Sequence, residues 1–280
     1  MNGRRTSGVV AVAPAAPRPG TAVRSRLEAA LWFAAPFIVL VLVWAAAVRL
    51  YGVPLRVFPA PPDVAEALVQ QARTGALGNH VWQSLRRVFV GTTLAVLSSI
   101  PLGIAISTNR SLAALFTPIL RFFSVLAGIA WIPLATLWFG YGFGAITFII
   151  FNAVFFIVLY NTILGVTRIP QVLRDAARSL GANRRQVLTE VLLPGALPNI
   201  VTGIRTGMGF AWRGLIAAEI IATNAGLGYM LFLARDFYRT EVIVLGMVLI
   251  GAIWVLIDRL ILAPIERRTI ERWGLARIVT

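Results

Sequence analysis

The sequence predicts an all-α, polytopic membrane protein with about six transmembrane helices. Three observations predict it. Of 280 residues, 58% are hydrophobic and only 13% charged, far more apolar than a soluble domain. The apolar residues gather in runs long enough to cross a hydrocarbon core, roughly 20 residues each. The 26 basic residues are all arginine and lie mostly in the connections between those runs. That spread excludes a nucleic-acid surface, which would gather the charge on one face.

Residues 1–30 are rich in Arg, Pro, Ala and Gly. Pro14 interrupts the one weakly apolar stretch, so no secretory core forms, and a disordered cytoplasmic tail is expected. The transmembrane domain is expected over 31–262, with its core at about 80–262, and a basic cytoplasmic tail over 263–280. Leu31–Val48 is the first span, with Pro36 tolerated among neighbouring helices. An outer stretch follows. Phe58-Pro59-Ala60-Pro61-Pro62 is extended, and Asp63 with Glu66 starts a short helix to Arg73. His80, the sole histidine, stands alone among possible ligands, so no metal site is expected. Ser84–Ser107 is the second span, with small residues at Gly91, Ala95, Ser99 and Gly103 for close helix contact. Arg86 and Arg87 at its outer end are expected to snorkel to headgroups. Ile119–Phe139 and Ala145–Val166 are the third and fourth spans, joined by the Gly140–Gly144 hairpin. Trp131, Trp138 and Tyr141 fit an aromatic belt there. Asn199–Ala222 and Val242–Leu262 are the fifth and sixth.

Between the fourth and fifth spans lies a polar segment, residues 168–198. It reads as two short amphipathic helices broken at Gly181. Leu173, Ala176, Ala177 and Leu180 fall on one face, with Arg174 and Arg178 on a basic outer face. Pro170 suits a first helical turn, and Gly181 a left-handed cap. The second helix runs through Val187, Leu188 and Val191 and is expected to stop at Pro194. On these residues alone, an ordinary cytoplasmic loop fits as well as a docking element. Arginine is in excess in both tails and in this loop, which is expected to place all three on the cytoplasmic side of the membrane.

The segment resembles the EAA motif of binding-protein-dependent ABC importer permeases: Glu-Ala-Ala, a Gly, then Ile-x-Leu-Pro at fixed spacing. Here it stands as Asp175-Ala176-Ala177, Gly181 and Val191-Leu192-Leu193-Pro194. Asp175 replaces Glu and Val191 replaces Ile. The stretches Phe58-Pro59-Ala60-Pro61, Ser84-Leu85-Arg86-Arg87, Ile132-Pro133-Leu134, Ala217-Ala218-Glu219-Ile220-Ile221 and Gly226-Leu227-Gly228-Tyr229 are similar to the nitrate/sulfonate/taurine branch. The resemblance implies a type I importer permease fold. It implies that Asp175, Ala176, Ala177, Gly181, Val191, Leu193 and Pro194 couple to an ATPase. The expected partners are a second permease chain, most simply identical, two ATPase subunits carrying ATP–Mg, a periplasmic or lipid-anchored binding protein, and the bilayer. The expected cargo is a small anion: a sulfonate, taurine, nitrate or a related organic acid.

The chain itself is not expected to be an enzyme or to hold a cofactor. Without lysine there is no phosphate-binding GxxxxGK[ST] loop. Without cysteine, and with one histidine, no nucleophile–base pair can be assembled. A gradient-driven transporter or channel subunit is the alternative. It would want paired acids or an inverted repeat about a midplane site, and neither is evident.

Charges inside spans are functional candidates by default. Arg213 is placed to meet an anion in the pathway, or else to pair with Glu219. Asn152 can bond substrate or a neighbouring helix. Glu219 approaches the outer face, where it can line the pathway or anchor the loop at Gly226 and Gly228. Gly203, Gly207 and Gly209 suggest close packing at a subunit seam.

Overall fold

The computed structural model describes the backbone of residues 19–52, 54–55, 57–126 and 128–272. Side chains are described from 35 to 269 among these. The described residues form helices and turns, with no strand among them. The chain divides into two compact units, residues 1–53 and 54–280.

The first unit holds helix α1, Pro19–Tyr51, which contains the expected first span and Pro36. Residues 1–18 of the expected tail lie outside the described residues. From Pro19 the backbone is helical. Pro19 stands at the helix start, where a missing N–H costs nothing.

The second unit begins with α2, Pro61–Arg73. Asp63 sits at its third position, and its carboxylate accepts the Ala60 N–H at 2.8 Å. It caps from inside the helix rather than starting it. Then come α3 (Ala76–Thr108), α4 (Arg110–Val125), a 3₁₀ turn (Gly128–Trp131) and α5 (Ile132–Phe139). They are followed by α6 (Phe143–Thr167), α7 (Gln171–Ser179) and α8 (Arg184–Gln186). A π-helical stretch, Val187–Leu192, leads into α9 (Leu193–Ala222). Last are α10 (Leu227–Asp236), α11 (Thr240–Ile257), a second π stretch (Asp258–Leu262) and α12 (Ala263–Arg272). Residues 273–280 of the expected C-terminal tail lie outside the described residues.

Four stretches are long and apolar enough to cross a membrane: Ala76–Thr108, Phe143–Thr167, Arg184–Ala222 and Thr240–Thr269. The expected third span is not a straight rod. α4 and the Gly128–Phe139 stretch meet at 91°. The break falls between Val125 and Gly128, and Pro133 lies further on, in the first turn of α5. Among the described residues there are therefore four continuous spans, or five with the bent pair; the described part of α1, Ala35–Tyr51, adds a shorter apolar helix.

α6 is the axis of the second unit. Its Ile146, Ile149, Ile150, Val154 and Val158 are fully buried between α3 and α9. Glycine permits the close approach, because apolar side chains gain little from leaving lipid and dispersion must hold the helices together. A Cβ on Gly91 would lie 2.7 Å from Ile150, and one on Gly103 2.8 Å from Thr162. On α9, a Cβ at Gly203 would lie 2.6 Å from Asn161, and one at Gly207 3.2 Å from Val154. Gly209 faces Trp254 of α11. These three glycines pack inside the chain, so the expected subunit seam is not built on them.

Candidate functional site

Two regions of the second unit carry the sequence-predicted site residues, and a third was not foreseen as a unit. The first is the segment joining α6 to α9. α7 ends at Ser179 with Leu180 as its cap, and Gly181 turns the chain with φ +86°, a conformation glycine reaches without steric cost. Asn183 caps the next helix: its side chain accepts the Gln186 N–H at 3.0 Å, and Gln186 answers with a 2.8 Å bond from the Asn183 N–H.

Pro194 was expected to end this helix and does not. The π stretch shifts the pattern, so that the Leu193 N–H reaches the Leu188 carbonyl. The helix then continues through Pro194, in the first turn of α9, to Ala222. The second π stretch stands in the same place before Pro264, with the Ala263 N–H on Asp258. A π turn absorbs the misfit that a proline would otherwise turn into a break.

The faces of α7 are also set differently from the expectation. Arg174 turns inward and donates to the Val166 carbonyl at 2.7 Å. Ala177 packs against the buried cluster that contains Val166, Ile169, Val187 and Leu192. The apolar Leu173 and Leu180 face outward, Leu180 being 89% exposed. Asp175 and Ala176 lie beside them, with Asp175 accepting from Gln171 at 3.2 Å. The outer face of this element is therefore apolar at its centre, with Arg178 at its edge. Val191 and Pro194 are half-buried, and Leu193 is more open.

The second region lies within the membrane-length helices. Asn152 of α6 and Arg213 of α9 line one cavity of about 470 Å³, with Ser124, Thr206, Phe156 and Phe210. The Arg213 guanidinium lies 5.7 Å from the Phe210 ring centroid and makes no ion pair among the described residues. Thr206, Phe210 and Arg213 also border a second space of about 500 Å³, which reaches Arg205, Asp258 and Glu266. Thr202, Thr206, Phe210 and Arg213 thus form an exposed stripe along α9. A cation and two hydroxyls on one exposed stripe do not suit hydrocarbon; they suit a wet passage or a second chain.

Glu219 does not join them. It is fully buried on another face of α9, and its partner is Arg87, not Arg213. Arg87 Nη1 donates to Glu219 Oε1 at 2.7 Å and to the Ala225 carbonyl at 2.6 Å, and Nη2 donates to Thr223 Oγ1 at 2.9 Å. The expectation that Arg87 snorkels is overturned: it is 3% exposed. Only Arg86 stays at the surface, 4.8 Å above the Phe143 ring. The Ser84 hydroxyl also meets the Glu219 carboxylate at 2.8 Å. Gly226 and Gly228 were expected near Glu219, and there they are. The Gly228 N–H donates to Glu219 Oε2 at 2.9 Å. A Cβ on Gly226 would overlap the carboxylate. What the sequence did not yield is that Ser84, Arg87 and Glu219 form one cluster. The available signal was two arginines at a helix end, of which a surface needs neither.

No group of three or more metal-binding side chains occurs among the described residues.

Comparison with known proteins fits this architecture. Residues 91–269 match the family described as "Binding-protein-dependent transport system inner membrane component". The taurine transport system permease protein TauC of Escherichia coli is 37% identical over 82% of this chain and 85% of its own. The bicarbonate transport system permease protein CmpB of Synechococcus elongatus is 36% identical over 64% of this chain and 66% of its own. Among solved structures, the MetNI methionine ABC transporter superposes with a TM-score of 0.61 at 21% identity, covering 71% of this chain and 97% of that one. That likeness speaks to fold alone. The chain belongs to the binding-protein-dependent inner-membrane permease family, in the nitrate/sulfonate/taurine branch of ABC importer permeases.

Proposed function

We propose that this permease pairs with a second copy of itself to enclose a passage for a small organic or inorganic anion, and that an ATPase docks on Asp175–Pro194. The observation that carries the reading is the outward apolar face of α7, Leu173 and Leu180, beside the tight turn at Gly181. Exposed leucines on a short helix outside the spans gain free energy when a partner's cleft covers them. The segment lies on the cytoplasmic side, as its arginines require, and both termini lie there with it. ATP–Mg is held by the partner, and this chain only converts the partner's closure into movement of α9. A binding protein delivers cargo from the opposite side.

The cargo is an anion because the cavity bordered by Asn152 offers one cation, Arg213, with no carboxylate to neutralise it. The relatives named for taurine, aliphatic sulfonates and bicarbonate are consistent with this choice. The test is uptake by proteoliposomes that hold the chain with its ATPase and binding protein. Taurine uptake that needs ATP at the ATPase face supports the reading. Uptake driven by an ion gradient without ATP overturns it.

A further inference from the structure

α10 has only ten residues, too few to cross a bilayer, yet its start is fixed with unusual completeness. The first N–H groups of a helix have no partner within it. Here three in succession are met by side chains from other helices. The Gly226 N–H donates to His80 Nδ1 at 3.1 Å, the Leu227 N–H to Ser84 Oγ at 2.9 Å, and the Gly228 N–H to Glu219 Oε2 at 2.9 Å. His80 and Ser84 belong to α3, and Glu219 to α9. Arg87 closes the cluster from the other side, holding Thr223, Ala225 and Glu219 together. Two glycines make room for it: a Cβ on Gly228 would lie 2.5 Å from the Ile216 carbonyl, and one on Gly226 would fall on the Glu219 carboxylate.

A buried ion pair is a poor means of adding stability. Well-packed apolar residues of similar volume serve as well or better, because two charges must be stripped of water. What such a cluster does supply is a single geometry, since every member has directional partners. Its position gives that geometry a use. α9 runs unbroken for 30 residues, about 45 Å at the helical rise. Its near end grows out of the segment that holds Gly181, and Glu219 lies in its last turn, three residues before Ala222.

We propose that Glu219, with Arg87 and Ser84, is a positioning clasp. It makes the far ends of α3 and α9 and the start of α10 one rigid body, so that displacement entering α9 at the docking segment arrives undiminished at the far mouth of the passage. This rests on the permease reading above. Arg87 and Glu219 touch no cargo; they act through α9 and α10.

The experiment uses the complete transporter in proteoliposomes and measures ATP hydrolysis and taurine uptake side by side. The variant R87M/E219Q removes both charges, keeps an acceptor for the Gly228 N–H, and leaves no lone buried charge to unfold the chain. It should assemble and hydrolyse ATP within about twofold of the parent, with uptake per ATP falling about tenfold, within the range of ordinary coupling free energies. Wild-type uptake per ATP in this variant would overturn the clasp. Should it fail to assemble, S84A decides. It removes one hydroxyl, and a fall in uptake with hydrolysis kept supports the clasp, whereas an unchanged ratio of the two overturns it. A parent transporter that takes up taurine without ATP would instead remove the permease reading itself.

Discussion

Arg205 of α9 and Asp258, at the end of α11, are joined by two parallel hydrogen bonds, Nε to Oδ1 at 2.7 Å and Nη2 to Oδ2 at 2.8 Å. Glu266 of α12 accepts from the same guanidinium through Nη1. One arginine therefore ties three elements, and the bidentate form fixes their angle as well as their distance.

Breaking that tie should loosen the α11–α12 end. The Arg205 side chain is 38% exposed, so solvent screens the pair and its worth is about 1 kcal/mol, not the full strength of a buried one. R205M should lower the Tm of the detergent-solubilised protein by about 2–4 °C. D258N should cost less, because Glu266 remains, and the double variant should cost less than the two added together. Simple additivity would mean that the two side chains do not interact.

Glycine substitutions should separate packing from strain. Gly228→Ala places a methyl carbon against the Ile216 carbonyl and should reduce the yield of folded protein or lower its Tm clearly. Gly251→Ala, on α11, meets nothing within 4 Å. It should leave Tm unchanged or raise it, since alanine favours a helix by up to about 1 kcal/mol. Equal effects at the two positions would contradict the packing described here.

Much of this architecture is legible in the sequence, and the failures are physical ones. The positions of α3, α6, α9 and α11 follow from apolar run length alone. The 91° bend between α4 and α5 does not, because composition reports burial and not direction. The π stretches before Pro194 and Pro264 are invisible for a related reason: proline marks a lost hydrogen bond but not how its neighbours rearrange. Arg87 and Glu219 stand 132 residues apart, and no local periodicity joins residues so distant. The outer face of α7 was misjudged because its phase is decided by the Arg174 bond to Val166, a contact with the preceding helix. The Gly181 turn was legible, since a glycine cap is local chemistry, whereas the Asn183 cap emerges only from the structure.

If Arg213 meets the cargo, its charge should matter more than its shape. R213Q should raise the KM for anion uptake at least tenfold while ATP hydrolysis by the complex persists, and R213K should recover part of the loss. N152A should have a smaller effect in the same direction, as befits one neutral hydrogen bond of about 1 kcal/mol. An unchanged KM in R213Q would place the passage elsewhere.

Gly181→Val should act on coupling and not on insertion. A β-branched residue at φ +86° is strained by about 1–2 kcal/mol. The turn between α7 and α8 should open while the spans remain. The variant should reach the membrane at the parent level and retain less ATPase on purification.

The central claim is that an ATPase covers the outer face of α7. The chain contains no cysteine, so a single one introduced at Leu180 is an unambiguous probe. L180C in the native complex, treated with a short thiol-to-amine crosslinker, should join this chain to its ATPase, and Leu97→Cys on the exposed middle of α3 should not. Capture of the ATPase from L180C alone is the result this account predicts. A protected complex with no crosslink from L180C, or an equal one from L97C, would contradict it.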